Sequence, residues 1–456
     1  MATNSNDTDS VRADDNKFYV GDEDLLKTGD GTVNEHQMID AKRLADIQIR
    51  IGTLLKTDNV SFLLGAGASV ECGGPLLGSI PFEIEKELIE SGTKGNRVSN
   101  WLKIFYIAAK EVANKADIKI APGRILQRKQ DFKDAQQNPI HVNFEKLLSV
   151  LYRWRMALPK NSGRMKLYEL PLRDLDNHLL DKCIEYAKRA LIKACQLPKN
   201  GKEPGLLTFT IMVRKLLTRP LNLKRVNLFT LNYDTLVEQA ADAEGIVLLD
   251  GFVGTQTRIF RPESYEQDLY FPAETTEGHV HRLDRVMHLY KLHGSISWSM
   301  CQPTIENPYG IQANNILNEN HTPVLIYPTP SKYGETLGLP YAELFRRFAN
   351  VVVRPQSALF VIGYGFGDEH VNAIIRQALA IPSFTMVIVD PSPLSEFVTI
   401  LKSQKDKRVW IAEGKTIGTF SGFVNQVLPD LRDEDIRVKV LSTYRALNPN
   451  ISQSEE

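Results

Sequence analysis

Val60-Ser-Phe-Leu-Leu-Gly65-Ala-Gly67-Ala-Ser69 is a short apolar run of buried-strand type that ends in a glycine-rich turn. Gly65 and Gly67 let a backbone turn tightly and come close to a ligand, and the N–H groups that follow can face a diphosphate. Ser69 adds a hydroxyl donor. The turn is not the GxGxxG fingerprint, because Val70 stands where its last glycine should be. It is not a Walker loop, because no Gly-Lys-Ser/Thr follows. Taken alone, the stretch serves equally well as a plain strand–turn connection.

Further along the chain, short apolar runs recur at Val226–Thr230, Ile246–Leu249, His288–Leu292, Val324–Tyr327, Ala358–Gly363, Phe384–Asp390 and Val409–Ile411. They alternate with helical patterns at Thr235–Ala243, Tyr341–Phe348, Glu369–Ala380 and Leu394–Ser403. Strand–helix alternation of this length implies an α/β fold, a doubly wound, Rossmann-like, mostly parallel sheet with helices on both faces. The strand at Val60 would be its first member. Between about 80 and 222 the pattern changes to helices at Phe82–Ser91, Val98–Asn114, Phe144–Trp154, His178–Ala194 and Leu206–Leu217. The expected organisation is a flexible tail over 1–35, an α/β domain over 36–92 and 223–430, a helical insertion over 93–222, and a C-terminal extension over 431–456. A helix is expected across Gln37–Leu55, a polar loop over 299–322, and solvated basic connections at Arg124–Lys133 and Lys160–Lys166.

Composition narrows the function classes. The 456 residues carry 55 Lys+Arg against 55 Asp+Glu, with 43% hydrophobic and 24% charged residues. This is the balance of a soluble globular protein, not of a disordered chain. A net charge of zero gives no support for binding nucleic acid over the whole surface. Cys72, Cys183, Cys195 and Cys301 are scattered with no CxxC pair, which excludes a four-cysteine zinc ribbon on spacing. The N-terminus lacks an apolar signal core, and no run of about 18 apolar residues exists to span a membrane. A reducing cytoplasm is the expected compartment.

Four further motifs place chemistry at strand ends. Leu228-Phe-Thr-Leu-Asn232-Tyr-Asp234 delivers Thr230, Asn232 and Asp234 to a carboxyl edge, where open parallel sheets bind ligands. Asn232 can orient a water or a sugar hydroxyl, while Asp234 either joins it or caps the helix from Thr235. Tyr290-Lys-Leu-His293-Gly294 sets a histidine at a strand end with room beside it, suited to accept a proton near neutral pH. His288 falls in the same strand and His281 in a loop. Ala358-Leu-Phe-Val-Ile-Gly363-Tyr-Gly365-Phe-Gly367-Asp368 leads from a strand through three glycines into a helix, with Asp368 as ligand contact or N-cap. Val387-Ile-Val-Asp390-Pro-Ser392 puts an acid where ribose hydroxyls are commonly held, or simply makes an Asp-Pro turn.

In this order the segments resemble the sirtuin family. Gly65-Ala66-Gly67-Ala-Ser69 looks like its first glycine loop, Thr230-Leu-Asn232-Tyr-Asp234 like its Gln-Asn-Ile-Asp segment, and Leu292-His293-Gly294 like its catalytic-histidine segment. Gly363, Gly365, Asp368 and Asp390 fall in segments similar to its later nucleotide-contacting strand ends. The resemblance covers about 60–92 and 225–415. It departs from the deacylases in having Leu231 where they carry Gln, a single cysteine (Cys301) after His293, and no Pro-Asp-Phe-Arg after the first glycine loop. It is more similar to sirtuin-like NAD hydrolases of bacterial antiphage defence, and among them to the subunit that pairs with a HerA-type hexameric ATPase.

The resemblance implies an NAD glycohydrolase that depletes NAD during abortive infection. NAD is its substrate and no zinc is expected. Asn232 and His293 would be catalytic; Gly65, Ala66, Gly67, Ser69, Thr230, Asp234, Gly363, Gly365, Asp368 and Asp390 would bind the dinucleotide. It further implies a homo-oligomer regulated by the ATPase, no membrane, and nucleic acid only indirectly. Protein deacylation or ADP-ribosyl transfer with the same residues is the alternative, and a non-enzymatic NAD- or ADP-ribose-sensing scaffold is a second.

Overall fold

The computed structural model describes residues 16–27, 39–76, 78–94, 97–98, 100–113, 144–157, 177–271, 281–314, 323–325 and 340–447. In chain order the strands are β1 (Lys17–Val20), β2 (Glu23–Asp24), β3 (Asn59–Leu64), β4 (Thr93–Lys94), β5 (Arg97–Val98), β6 (Asn227–Thr230), β7 (Val247–Leu249), β8 (Phe252–Val253), β9 (Arg258–Phe260), β10 (Tyr270–Phe271), β11 (His281–Arg282), β12 (Val286–Lys291), β13 (Gly294–Met300), β14 (Ile311–Ala313), β15 (Pro323–Leu325), β16 (Ser357–Ile362), β17 (Thr385–Val389) and β18 (Val409–Glu413). The helices are α1 (Ala41–Leu54), α2 (Ile80–Gly92), α3 (Asn100–Ala113), α4 (Phe144–Ala157), α5 (Asn177–Cys195), α6 (Pro204–Leu216), α7 (Leu236–Glu244), α8 (Tyr341–Val352), α9 (Glu369–Leu379), α10 (Glu396–Gln404) and α11 (Glu434–Leu447).

Every residue of β3 and of β16 is buried, because each strand is covered on both faces. Successive side chains of a strand point to opposite faces. Accordingly Val60, Phe62, Leu64, Ala358, Phe360 and Ile362 join the core under α1, α6 and α7. Leu63, Leu359 and Val361 join the core under α8, α9 and α10. Phe62 and Phe360 stack across the two strands at 4.5 Å. The mixed α/β architecture expected from the alternation is present: a nine-stranded sheet in the order β2-β1-β18-β17-β16-β3-β6-β12-β7, parallel throughout from β18 to β7 and antiparallel at β2 and β1.

β16 pairs with β3 although almost 300 residues separate them (Ser357 pairs with Asn59). The winding direction therefore reverses between these two strands, which makes a topological switch point. The register is even along the carboxyl edge. Leu64 pairs with Thr230 and Ile362, Thr230 with Lys291, and Ile362 with Val389. The residues that follow these five positions thus emerge side by side.

Several expectations are corrected. Residues 17–20 are not tail: β1 pairs antiparallel with β18, and Phe18 is fully buried. An apolar side chain in an otherwise polar stretch gains about 1.5–3 kcal/mol by burial, enough to fix a short strand near the edge of the sheet. Residues 1–15 and 28–35 lie outside the described residues, as do the basic connections at 124–133 and 160–166. The region 299–322 is not all loop. The end of β13 and all of β14 fall in it, within a small antiparallel sheet ordered β15-β13-β14-β9-β8. Apart from β13, its strands are two or three residues long, too short for periodicity to show. His281 lies in strand β11.

The expected insertion boundaries also move. α6 buries Phe209, Met212, Val213 and Leu216 in the main core, whereas α2 packs with α3, α4 and α5 in a core of its own. Beyond the main sheet, α11 rests on α1, where a side chain added at Gly52 would lie 2.6 Å from Val440.

Candidate functional site

The turn after β3 and the turn after β16 touch backbone to backbone at the switch point. The Gly65 N–H donates to the Ile362 carbonyl at 2.9 Å, and the Gly67 N–H to the Gly363 carbonyl at 2.8 Å. A Cβ at Gly67 would sit 2.6 Å from the Gly363 Cα, and one at Gly363, whose φ is +63°, would sit 2.4 Å from the Ala68 nitrogen. These glycines are thus required by the fit of two loops, and their N–H groups are already engaged. Ala66 and Gly67 remain half-exposed on the turn.

Beside this joint the chain leaves β6. Asn232 donates through Nδ2 to the Gly65 carbonyl and to Ser69 Oγ, each at 2.9 Å. A carbonyl only accepts, so the amide orientation is fixed. Oδ1 is then the atom Asn232 has to offer a water or hydroxyl. Ser69 in turn donates to Asp234 Oδ2 at 2.7 Å. Asp234 is buried and accepts the Leu236 N–H on its other oxygen at 3.1 Å. It therefore stands behind Asn232 and also holds the Leu236 N–H at the start of α7, where the N-cap is Thr235 and not Asp234. Burial raises its pKa above the usual carboxylate value, with Lys291, Ser69 and the Leu236 N–H pulling the other way. Thr230 is also turned inward: buried, its hydroxyl accepts the Asn232 N–H at 3.0 Å.

His293 leaves the neighbouring strand β12. Its Nε2 lies 3.1 Å from Asp368 Oδ2. Both side chains are largely buried, 11% and 7% exposed. The other Asp368 oxygen accepts the His370 N–H at 2.9 Å, capping α9. Asp368 is therefore at once the N-cap and a carboxylate partner of the histidine. The Tyr364 hydroxyl accepts the Asp368 N–H at 3.0 Å and reaches Asn372, also buried, at 3.1 Å. Gly365 and Gly367 are exposed with open space around them, while Phe366 between them is buried and stacks on Phe397 at 4.9 Å.

Asp390 ends β17 at the same edge, half-buried, and accepts the Ser392 N–H at 2.8 Å. Burial raises its pKa, with the Ser392 N–H and Lys402 opposing. Cys72 and Cys195 lie close enough to feel the Asp234 charge, and burial pushes both thiols up to about 12. Neither is a thiolate nucleophile at neutral pH. Among the described residues, no group of three or more His, Cys, Asp or Glu is disposed to hold a metal, and no helix is long and apolar enough to cross a membrane.

Residues 226–413 match the family model of a SIR2-like domain. That span holds Asn232, Asp234, His293, Gly363, Asp368 and Asp390, but not the turn after β3. No curated protein matches the chain. Among solved structures, it is similar to a Sir2 homologue in complex with NAD: 12% identity over 90% of this chain and 98% of that one, TM-score 0.34. A second similar structure is a Sir2 homologue mutant in complex with ADP-ribose, at 12% identity over 79% of this chain and 95% of that one, TM-score 0.28.

Sequence reasoning overlooked the groups that support the site. Lys291 is buried in β12, donates to the Asp234 carbonyl, and pairs with Glu238 at 2.9 Å. The signal was a lysine inside an apolar strand, Val286-Met-His-Leu-Tyr-Lys291. Tyr364 and Asn372 gave no such signal.

Proposed function

We propose that this chain hydrolyses NAD at the nicotinamide–ribose bond, giving nicotinamide and ADP-ribose. The observation that carries the reading is the pairing, on adjacent strands beside the switch point, of a fixed amide and a carboxylate-oriented histidine. The match of residues 226–413 to a SIR2-like domain supports the dinucleotide as ligand class.

Nicotinamide leaves as a neutral molecule from a positively charged nitrogen, so the leaving group needs no acid. The C1′–N bond breaks with its electron pair going to nicotinamide. Water oxygen bonds to C1′, and the proton lost from that water passes to a base. Asn232 Oδ1 orients the water or a ribose hydroxyl; His293 takes the proton, with Asp368 stabilising the imidazolium that forms. Gly65, Gly67 and Ala68 have their N–H groups engaged, so on this turn the diphosphate falls to the half-exposed Ala66. The space beside Gly365 and Gly367 leaves room in the crevice, and Asp390 takes the adenosine ribose. NAD depletion of this kind suits antiphage defence, and regulation by assembly with a HerA-type ATPase belongs to the same proposal.

The test is nicotinamide and ADP-ribose release by the purified protein, with and without the ATPase and with Asn232→Ala alongside. Release lost in the variant is expected. Release that depends on an added acetyl-lysine peptide would favour the deacylase reading. No release under any condition would overturn hydrolysis.

A further inference from the structure

Asn232, Ser69 and Asp234 form a hydrogen-bond chain with one direction. The amide donates to the serine oxygen, and the serine donates to the carboxylate. A charged Asp234, accepting the Ser69 hydroxyl on one oxygen and the Leu236 N–H on the other, supports that direction on both sides. A proton on Oδ2 would be donated to Ser69 Oγ, which would then receive two donors and have no acceptor for its own proton, and a proton on Oδ1 would meet the Leu236 N–H. Asn232 cannot compensate by turning over, because the Gly65 carbonyl needs Nδ2.

Charge at Asp234 is not free, since the group is buried. The counter-charge is Lys291, itself 2% exposed. Its ammonium donates to the Asp234 main-chain carbonyl and pairs with Glu238 at 2.9 Å. The charged and titratable groups around Asp234 are Lys291 from β12, Glu238 from α7, Cys72 from the turn after β3, and Cys195 from the end of α5. Lys291 alone among these is a cation. It also stands two residues before His293, so one side chain ties the strand of the histidine to the loop of the asparagine.

We infer that Lys291 is a positioning residue: it keeps Asp234 ionised and thereby holds the Asn232 amide in the orientation that presents Oδ1. The inference rests on the hydrolase reading for its kinetic readout but not for its structural one.

The test uses the full chain as wild type, Lys291→Met, Lys291→Arg and Glu238→Gln, with two measurements on each. One is the pH profile of NAD turnover. The other is the titration of the Asp234 carboxyl by 13C NMR, assigned against Asp234→Asn. Removing the ammonium removes an influence that favours the charged carboxylate. In Lys291→Met the Asp234 midpoint and the acid limb of turnover should both move to higher pH, with Lys291→Arg restoring them in part. Glu238 is a like charge, so Glu238→Gln should move the Asp234 midpoint the other way. A clamp that is merely structural would lower the turnover plateau in both variants and leave the Asp234 midpoint in place, and that result would overturn the inference. If the wild type shows no turnover at any pH, the hydrolase reading fails while the carboxyl titration still decides the role of Lys291. Should Lys291→Met fail to fold, Lys291→Gln, which also removes the ammonium, carries the same comparison.

Discussion

Asp368 caps α9 with one oxygen and meets His293 with the other, so charge and cap can be separated by substitution. Asparagine keeps an acceptor for the His370 N–H but loses the charge beside the histidine. Asp368→Asn should therefore fold with nearly unchanged stability, yet lose NAD turnover on the order of 10²-fold. Asp368→Ala should lose the same activity and in addition about 1 kcal/mol of stability with the cap. Turnover assays paired with urea unfolding distinguish the two losses. His288, in the strand that leads to His293, predicts a pH effect on stability. Burial lowers the pKa of His288 to about 4 from an ordinary 6.5. Between those values the unfolded chain binds a proton that the folded chain refuses. Stability should thus fall as pH drops from about 6.5 to about 4, by up to about 3 kcal/mol, and then level off for this group. His288→Leu should flatten that part of the curve of unfolding free energy against pH.

At the scale of elements, the glycines of the two turns make different predictions, although the sequence presents them alike. Gly67 is closed in by the Gly363 backbone, whereas Gly365 faces open space. Gly67→Ala should push the two turns apart and cost about 1–3 kcal/mol, with loss of turnover. Gly365→Ala should leave stability unchanged. Thermal unfolding of the two variants checks this; equal stability would mean that Gly67 serves ligand approach alone. The contrast marks what the sequence could reveal. Strand–turn–helix punctuation announced the sheet and the carboxyl-edge location of Asn232 and His293, because buried strands and glycine turns are local signals. It did not announce that Gly65 and Gly67 are needed by Gly363, some 300 residues away, since such a contact leaves no spacing to read. Likewise Asp234 and Thr230 sit at the right edge but face inward, a difference of side-chain direction that the Thr230–Asp234 string does not encode. The short strands β8, β9 and β14 escaped for a simpler reason: two or three residues are too few for alternation to register.

Over the whole molecule, the helical bundle is joined to the site at two points. Ile296 lies inside the core shared by α2, α3, α4 and α5, and Tyr233 packs against it. Tyr233 is the residue between Asn232 and Asp234, and Ile296 follows His293 by three. The Ile296 N–H donates to the Tyr233 carbonyl at 3.0 Å, so one hydrogen bond joins the segment after Asn232 to strand β13 after His293. The bundle thus packs directly against the segments that carry Asn232 and His293. Leu151, fully buried in α4, belongs to the same core but not to the segments that carry Asn232 and His293. Leu151→Ala should open a cavity costing about 2–5 kcal/mol in the bundle. Amide exchange should then quicken in α2 to α5 and at Tyr233 and Ile296, while β3 and β16 stay protected. NAD turnover should fall several-fold although no group near Asn232 or His293 has changed. A loosened bundle with full turnover would mean instead that the sheet edge alone holds the two loops. The bundle's four helices would then serve some purpose other than catalysis.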